Sequence, residues 1–506
     1  MVLVADCGTQ RMKVMVFDAG GKILAKRTHE YSPTYVSPRP GWAERDPDYY
    51  WEVFLKLAGD LISDGFKDIE GISVTTQRNS LVFVDSNGKP LRPAILWLDH
   101  RRADFDLKLP LFREMLYRSI GMWRSIVSVY RDAKVNWIRQ NEPDVWRRTH
   151  KVLQISGYFL WKLTGRFVDS VASQVGHIPF DYKRRKWADE RDLKSFLFPV
   201  NRERLPELVE AGTVVGRLRR EVAHELGIEP VPVVASGSDK GCETLGLGVV
   251  NESAASLSFG TTATVQTTTS RYFEPLKFIP PYPSLIPGMY NPEVEIFRGF
   301  WLVSWFRDEF GHLEKERASK INQSVEKLLD SLLDHAPPGS MGLVAQPYWT
   351  PGLKMPEARG AIVGFSSHHG REHVYRSLIE GIMYGLRDGA ERIERSGRLS
   401  FERVAVGGGA SASDRICQIA ADVLNLPVYR ERTGEAAGLG AAMAVYVGLG
   451  VHSSFEEAVK EMVEYSDVFE PDRENAGLYD EIYRRVYRKL YKRLRKLYRE
   501  LEDILK

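Results

Sequence analysis

Cysteine is scarce in this chain: Cys7, Cys242 and Cys417 are the only three in 506 residues, and no two stand in C-x-x-C spacing. That excludes a disulfide framework and a cysteine-built zinc site, and it suits a reducing compartment. Long apolar runs are missing too; none approaches the roughly 18 residues a membrane helix needs, so no membrane partner is expected. Nor is there a surplus of one charge. Lys and Arg total 70 against 67 Asp and Glu, a formal net charge of +3, which makes no whole-chain case for nucleic acid as a partner. No basic segment or small-residue cleavage site precedes the first strand-like run, Val2-Leu3-Val4-Ala5. No secretory signal is therefore expected, and the expected location is cytoplasmic.

What is present is enzyme-sized. At this length one hydrophobic core does not suffice, so two large domains are expected. The opening reads as a hairpin: strand Val2 to Asp6, polar turn Cys7-Gly8-Thr9-Gln10-Arg11, strand Met12 to Phe17, then a third strand from Ile23. A helix is predicted from Asp46 to Asp64, with Asp46-Pro47 as its start signal. Gly71 to Thr75 and Ser80 to Val84 read as strands, and residues 105–230 as mostly helical. A second strand-rich block begins at Pro232. It carries strand-like runs at Ala255–Phe259, Thr264–Thr268 and Val294–Arg298, then Val404-Ala405-Val406 leading into Gly407-Gly408-Gly409 and a helix from Ser413. The same plan thus occurs twice without detectable internal identity, so the repeat is architectural. The expected domains are 1–245 and 246–506.

Phosphoryl transfer needs donors for phosphate oxygens, a divalent cation and a base for the attacking hydroxyl. Asp6-Cys7-Gly8-Thr9 offers a carboxylate at a strand end, a glycine that admits an anion to backbone N–H groups, and a hydroxyl. Lys13 adds a cation nearby. One carboxylate suits Mg2+, which keeps waters and phosphates as its other ligands. Ser258-Phe259-Gly260-Thr261-Thr262 repeats the make-up, and Gly408 and Gly409 precede a helix start, where anions are favoured. Each of these is also what an ordinary polar turn looks like.

In order, the motifs Asp6-Cys7-Gly8-Thr9 with Asp18, Gly41-Trp42-Ala43-Glu44-Arg45-Asp46-Pro47 with Trp51, Gln77-Arg78-Asn79, Ala94 to Asp99 with Arg101, and Lys134 to Ile138 fill the first half. Gly237-Ser238-Asp239-Lys240, Phe259-Gly260-Thr261-Thr262, Ala358-Arg359-Gly360 and Gly407-Gly408-Gly409 follow. Through them the chain resembles the FGGY carbohydrate kinases from Val2 to about residue 455. The resemblance implies an α/β fold of two actin-like (ribonuclease H-like) domains with an interdomain cleft, ATP as cosubstrate, and phosphorylation of a sugar or polyol hydroxyl. It implies Asp239 as catalytic base, Asp6 at the magnesium position, and Gly8, Thr9, Lys13, Gly260 and Thr261 around the phosphates. Gly408 and Gly409 would line the adenine and ribose site, with Ser413 near the base edge. For a helix start, Asp239 could equally serve as N-cap.

Gln77, Arg78 and Asn79 stand where glycerol kinases carry Gln-Arg-Glu, whose Arg and Glu hold glycerol hydroxyls. Asn79 thus replaces a carboxylate, and a neutral hydrogen bond is worth less than a charged one. The Met-His pair of xylulokinases is absent. Trp97 is expected as the apolar wall, with Gly299-Phe300-Trp301 as a further aromatic one. A four- to six-carbon ketose or polyol is the expected substrate. The alternatives are a glycerol kinase proper and a catalytically silent sugar-binding protein on the same fold. Oligomeric state is left open, a homodimer among the options. Residues 478–506 form a basic amphipathic helix. It is expected to pack on its own domain through Tyr479, Tyr483, Tyr487, Tyr491 and Tyr498, rather than to bind nucleic acid.

Overall fold

The computed structural model describes residues 1–352 and 355–505. The chain forms two compact units: one comprises Met1–Gly246, Tyr282–Tyr290 and Ala437–Val463, the other Leu247–Pro281, Asn291–Ala436 and Glu464–Lys506. The first crossing falls at Gly246/Leu247. The division near residue 245 is therefore not the whole of it, because two later segments return to the first unit.

The first unit is built on a six-stranded sheet. Its order is Val214–Arg217, Pro232–Val234, Gly71–Thr76, Val2–Cys7, Arg11–Phe17, Ile23–Glu30. The last three are antiparallel, each to the next, Val2–Cys7, Gly71–Thr76 and Pro232–Val234 run parallel, and the edge strand Val214–Arg217 is antiparallel to Pro232–Val234. The second unit has a sheet of six in the order Glu293–Ile296, Ala263–Gln266, Ala254–Phe259, Arg403–Gly407, Val428–Glu431, Tyr465–Phe469. Strand for strand the directions match: three antiparallel, two parallel steps, then an antiparallel edge. The repeat expected from the sequence is thus real at the level of topology. Each sheet carries its own buried core, one around Leu3, Val14, Phe54 and Ile72, the other around Leu257, Val265, Ile382 and Val404.

The helix Pro47–Ser63 starts as predicted, with the Asp46 carboxylate accepting from Asp48 N at 3.0 Å and Pro47 at the first turn. Residues 105–230 depart from expectation. Besides helices such as Ile155–Thr164, they include strands Lys151–Gln154, Val168–Ser170, Glu207–Val209 and Val214–Arg217. At three or four residues each, these are too short to impose a visible two-residue period. In the returning segment, the Tyr446 hydroxyl donates to Phe17 O at 2.9 Å and so ties that stretch to the back of the first sheet.

Several of the motifs turn out to be structural. Arg101, 1% exposed, donates from Nε to Asp99 Oδ1 at 2.8 Å and from Nη2 to Glu44 Oε1 at 2.6 Å. Its guanidinium lies between Trp42 and Trp137, 3.9 and 4.7 Å from the ring centroids. Asp99 also accepts from Ala43 N at 2.7 Å, and the buried Lys134 donates to Asp99 O. Burial holds the Lys134 ammonium below the usual lysine range. Three motif segments are thereby knitted into one buried ion network.

The C-terminal tail packs on the second unit. Helix Arg473–Ile482 runs through a single π-type turn, Tyr483–Tyr487, into helix Arg488–Leu505; Lys506 lies outside the described residues. The buried stripe is Tyr479, Tyr483, Tyr487, Leu490 and Tyr498, while Leu478, Val486, Leu497 and Leu501 are exposed. Ile482, Leu490 and Leu494 of the aliphatic stripe pack on the core beside the tyrosines, so both residue types share the inward face. The hydroxyl of Tyr479 donates to the buried Glu380 at 2.8 Å, Arg376 pairs with both, and Tyr498 takes a hydrogen bond from Gln346 Nε2 at 2.8 Å. Arg484, Arg485 and Lys496 stay in water.

Candidate active site

In the first unit the expected residues gather at the carboxyl ends of the parallel strands, where open α/β sheets bind ligands. Cys7 pairs with Thr76, and Thr76 in turn bridges to Ser238, so three chain segments end side by side. Hydroxyl groups continue the pairing beyond the strands: Thr75 donates to Gly237 O at 2.9 Å and Ser236 to Val74 O at 2.8 Å. A Cβ at Gly237 would come within 2.4 Å of Leu285 Cδ1, so the glycine lets the returning segment Tyr282–Tyr290 pack closely here.

The hairpin forms as predicted, closed by Gly8 N donating to Arg11 O at 3.1 Å. Asp6 and Lys13 are directly opposed across its two strands, an opposite-charge pair at the strand ends. Asp239 is the first residue of the helix Asp239–Gly246. The capping role suggested for it goes instead to Ser238, whose Oγ accepts from Gly241 N at 3.3 Å. The Asp239 carboxylate accepts from Lys240 N at 2.8 Å and lies 3.9 Å from Arg78 Nε. Burial raises its pKa above the usual aspartate range, with Arg78 pulling the other way. Asp6 and Asp239 both push up the buried Cys7 thiol, after burial itself, so the two carboxylates act on one locality.

Arg78 also stacks its guanidinium on Tyr282, 5.2 Å from the ring centroid, and Tyr182 meets Tyr282 edge-on at 5.8 Å. Sequence reasoning missed both tyrosines. Nothing periodic marks them; the only cue is a Pro-Pro-Tyr-Pro run at 280–283.

The neighbours of Arg78 differ from expectation. Gln77 is 2% exposed. Its Nε2 donates to Tyr50 at 3.2 Å and its Oε1 accepts from Thr9 at 3.4 Å and Ser80 at 3.5 Å. Its amide is therefore committed inside the protein rather than presented to a substrate. Asn79, at φ +52°, accepts at Oδ1 from His177 N at 3.1 Å and so fixes the loop at Gly176-His177. That bond uses one of the two lone pairs of Oδ1. Trp97 is half-buried and donates from Nε1 to Thr9 Oγ1 at 2.8 Å.

In the second unit, Gly260 and Thr261 form the turn between Ala254–Phe259 and Ala263–Gln266, with Thr261 exposed. The turn is braced by Phe300 N donating to Gly260 O at 3.1 Å and Trp301 N to Thr261 O at 3.3 Å. Phe300 is a core residue stacked near Phe259, with centroids 4.8 Å apart, so it does not form the further aromatic wall. Gly408 sits at φ +92°, and a Cβ on it would lie 2.8 Å from Phe259 C. The glycine cluster therefore packs directly against the phosphate-type turn, while Gly409 faces open space. Ser413 is the N-cap of helix Asp414–Leu424, accepting from Ile416 N at 3.1 Å and donating to Asp330. Its hydroxyl is thus already engaged by the fold rather than held ready for a base edge. Gly408→Ala is expected to destabilise the second unit, since strain at such a position costs on the order of 1–3 kcal/mol. Thermal melting followed by circular dichroism measures it.

Asp6, half-exposed beside Lys13, is a single carboxylate donor. Among the described residues no group of three or more His, Cys, Asp or Glu is placed to hold a metal. The donor set fits an Mg2+ that arrives with ATP and brings its other ligands along.

The N-terminal domain of the FGGY family of carbohydrate kinases matches residues 1–246, and its C-terminal domain residues 255–449. The chain is 31% identical over 496 residues to the xylulose kinase of Lactococcus lactis subsp. lactis (strain IL1403), covering 96% of this chain and 95% of that one. It is 30% identical over 494 residues to the glycerol kinase of Aquifex aeolicus (strain VF5), covering 95% and 96%. The crystal structure of ligand-bound xylulose kinase from Lactobacillus acidophilus superposes with a TM-score of 0.83 at 22% identity, over 99% of this chain and 100% of that one, a likeness of fold. The chain belongs to the FGGY family of carbohydrate kinases, and is an ATP-dependent carbohydrate kinase with a two-domain actin-like α/β fold.

Proposed function

We propose that the protein transfers the γ-phosphoryl group of ATP to one hydroxyl of a four- to six-carbon ketose or polyol, with Asp239 accepting that hydroxyl's proton. The observation that carries this reading is the Asp239 carboxylate itself. It stands at a helix start, relieved of capping by Ser238, raised in pKa by burial and faced by Arg78. A raised pKa makes a better proton acceptor, and in a loose phosphoryl-transfer transition state orientation does most of the work.

Arg78 and the Asn79 amide nitrogen are donors for sugar hydroxyls, with Trp97 and Tyr282 as flat apolar surfaces on which a carbon skeleton rests. Gly8, Thr9 and Lys13 of the first unit are phosphate-binding groups, as are Gly260 and Thr261 of the second. Gly408 and Gly409 take its ribose and base side. Mg2+ supplies charge neutralisation when bound with ATP, with Asp6 as its protein partner.

The neutral Asn79, its Oδ1 already committed to His177 N, favours a substrate other than bare glycerol. The relatives named xylulose kinase and glycerol kinase bracket the choice without deciding it. A coupled ADP-release assay over glycerol, tetritols, pentuloses, hexuloses and hexitols tests the proposal. A ketose or polyol of four to six carbons is expected to give the highest kcat/KM. Glycerol leading by a wide margin would replace it with a glycerol kinase, and no turnover with any member would favour the silent sugar-binding protein.

A further inference from the structure

Trp97 and Thr9 lie 88 residues apart, yet the indole N–H of one is bonded to the hydroxyl of the other at 2.8 Å. This bond does not stand alone. The Trp97 backbone N–H donates to Ser80 Oγ at 3.2 Å, and the single Ser80 hydroxyl proton is shared between Arg78 O at 3.4 Å and Gln77 Oε1 at 3.5 Å. The same Gln77 Oε1 accepts from Thr9, and Gln77 is anchored by Nε2 to the buried Tyr50 hydroxyl and by its backbone N–H to Cys7 O at 3.0 Å. The result is a closed ring of polar contacts joining Trp97, on the sugar side, to Thr9, in the phosphate turn.

We infer that Trp97 is a positioning residue for phosphate binding as well as a surface for the sugar. A threonine hydroxyl has one proton and two lone pairs. The indole can only donate, so it occupies a lone pair of Thr9 and prevents the hydroxyl proton from pointing back toward Trp97. That proton is left with Gln77 Oε1 at 3.4 Å, beyond the 2.5–3.0 Å of a good O–H···O bond. A phosphate oxygen brought close to Thr9 outcompetes so long a contact. The ring therefore holds the hydroxyl as a ready donor, and Gln77 acts as its anchor rather than as a sugar ligand.

The inference rests on the kinase reading, and the experiment separates the two. Trp97→Phe keeps an aromatic surface and removes only the N–H. It is expected to raise KM for ATP, or lower kcat, about five- to tenfold, the worth of roughly one hydrogen bond, with KM for the sugar within twofold of wild type. Thr9→Val removes the acceptor. In that background Trp97→Phe is expected to change nothing further, because the two residues act as one unit. Thr9→Ser keeps the acceptor and is expected to leave the Trp97→Phe penalty in place. Circular dichroism and calorimetric ATP titration accompany each variant, so a folding defect is separated from a binding one. The inference is overturned if Trp97→Phe raises only the sugar KM, or if its effect adds fully to that of Thr9→Val. A wild-type protein that binds ATP but phosphorylates nothing in the panel defeats the kinase reading instead. The calorimetric cycle still reads the Trp97–Thr9 coupling in that case.

Discussion

Asp239→Asn is expected to lower kcat by about three orders of magnitude, within the range a lost general base costs, while ATP affinity stays within about twofold. The substitution is nearly isosteric, and Asn Oδ1 still accepts from Lys240 N, so the helix start and the facing Arg78 keep their places. What disappears is a group able to take a proton. Single-turnover kinetics with saturating sugar, alongside calorimetric ATP titration, reads the two effects separately. The wild-type pH profile carries the same signature. Because burial raises the Asp239 pKa, the acid limb of kcat/KM should lie at higher pH than an ordinary aspartate would give, and it should vanish in the variant. An Asp239→Asn protein that retains most of its kcat would reduce Asp239 to a partner of Arg78 and the Lys240 amide.

Arg101→Met should have the largest effect on stability. The guanidinium is 1% exposed and bonds Asp99, itself 0% exposed, and Glu44, 8% exposed. Methionine fills the slot between Trp42 and Trp137 but leaves the buried Asp99 without its main counter-charge and Glu44 with Arg92 alone. Breaking a buried pair from one side costs about 3–5 kcal/mol, enough to lower the melting temperature of the first unit by on the order of 10 °C. Arg102→Met is the control. Arg102 is 59% exposed and its bond to Asp132 at 2.8 Å faces solvent, so screening leaves it worth about 1 kcal/mol or less. Equal melting of the two variants would mean that the Glu44–Arg101–Asp99 network does not hold the first unit together.

The contrast between these two variants shows what kind of information the motifs contain. Under the proposed function, Asp6, Thr9 and Asp239 can be picked out in sequence because a chemical demand, phosphate plus base, dictates short recognisable turns. Trp42, Asp99, Arg101 and Lys134 are equally visible as part of the resemblance, but their visibility comes from packing. A buried charge tolerates few substitutes, so such a network leaves as clear a trace as a site does. Sequence alone does not distinguish these two reasons, and Gln77 shows the consequence. It stands beside Arg78 in the motif, yet it is buried and serves the hairpin. Ser413 and Phe300 are similar: residue types suited to a ligand, used by the fold as a helix cap and a core ring.

The tail illustrates a different gap. Leu478, Ile482, Val486, Leu490, Leu494, Leu497 and Leu501 make a plausible apolar stripe on an ideal helix, but only Ile482, Leu490 and Leu494 pack on the core, alongside Tyr479, Tyr483 and Tyr487, and a π-type turn interrupts the helix at Tyr483–Tyr487. A local change of helical period lies below what residue spacing reveals.

The sequence by itself determined the class of chemistry, through its ordered FGGY motifs, together with the twofold architecture and the positions of the two glycine-hydroxyl turns. Strand periodicity and glycine-hydroxyl turns are local properties, readable over a few residues. Only the tertiary structure decided which side chains remain for a substrate. It brought Tyr282 to Arg78 across about 200 residues, took Gln77 out of the site, and joined Trp97 to Thr9. Those contacts arise where strand ends converge and a distant segment returns to cover them. No local pattern in the chain encodes which residues will meet there.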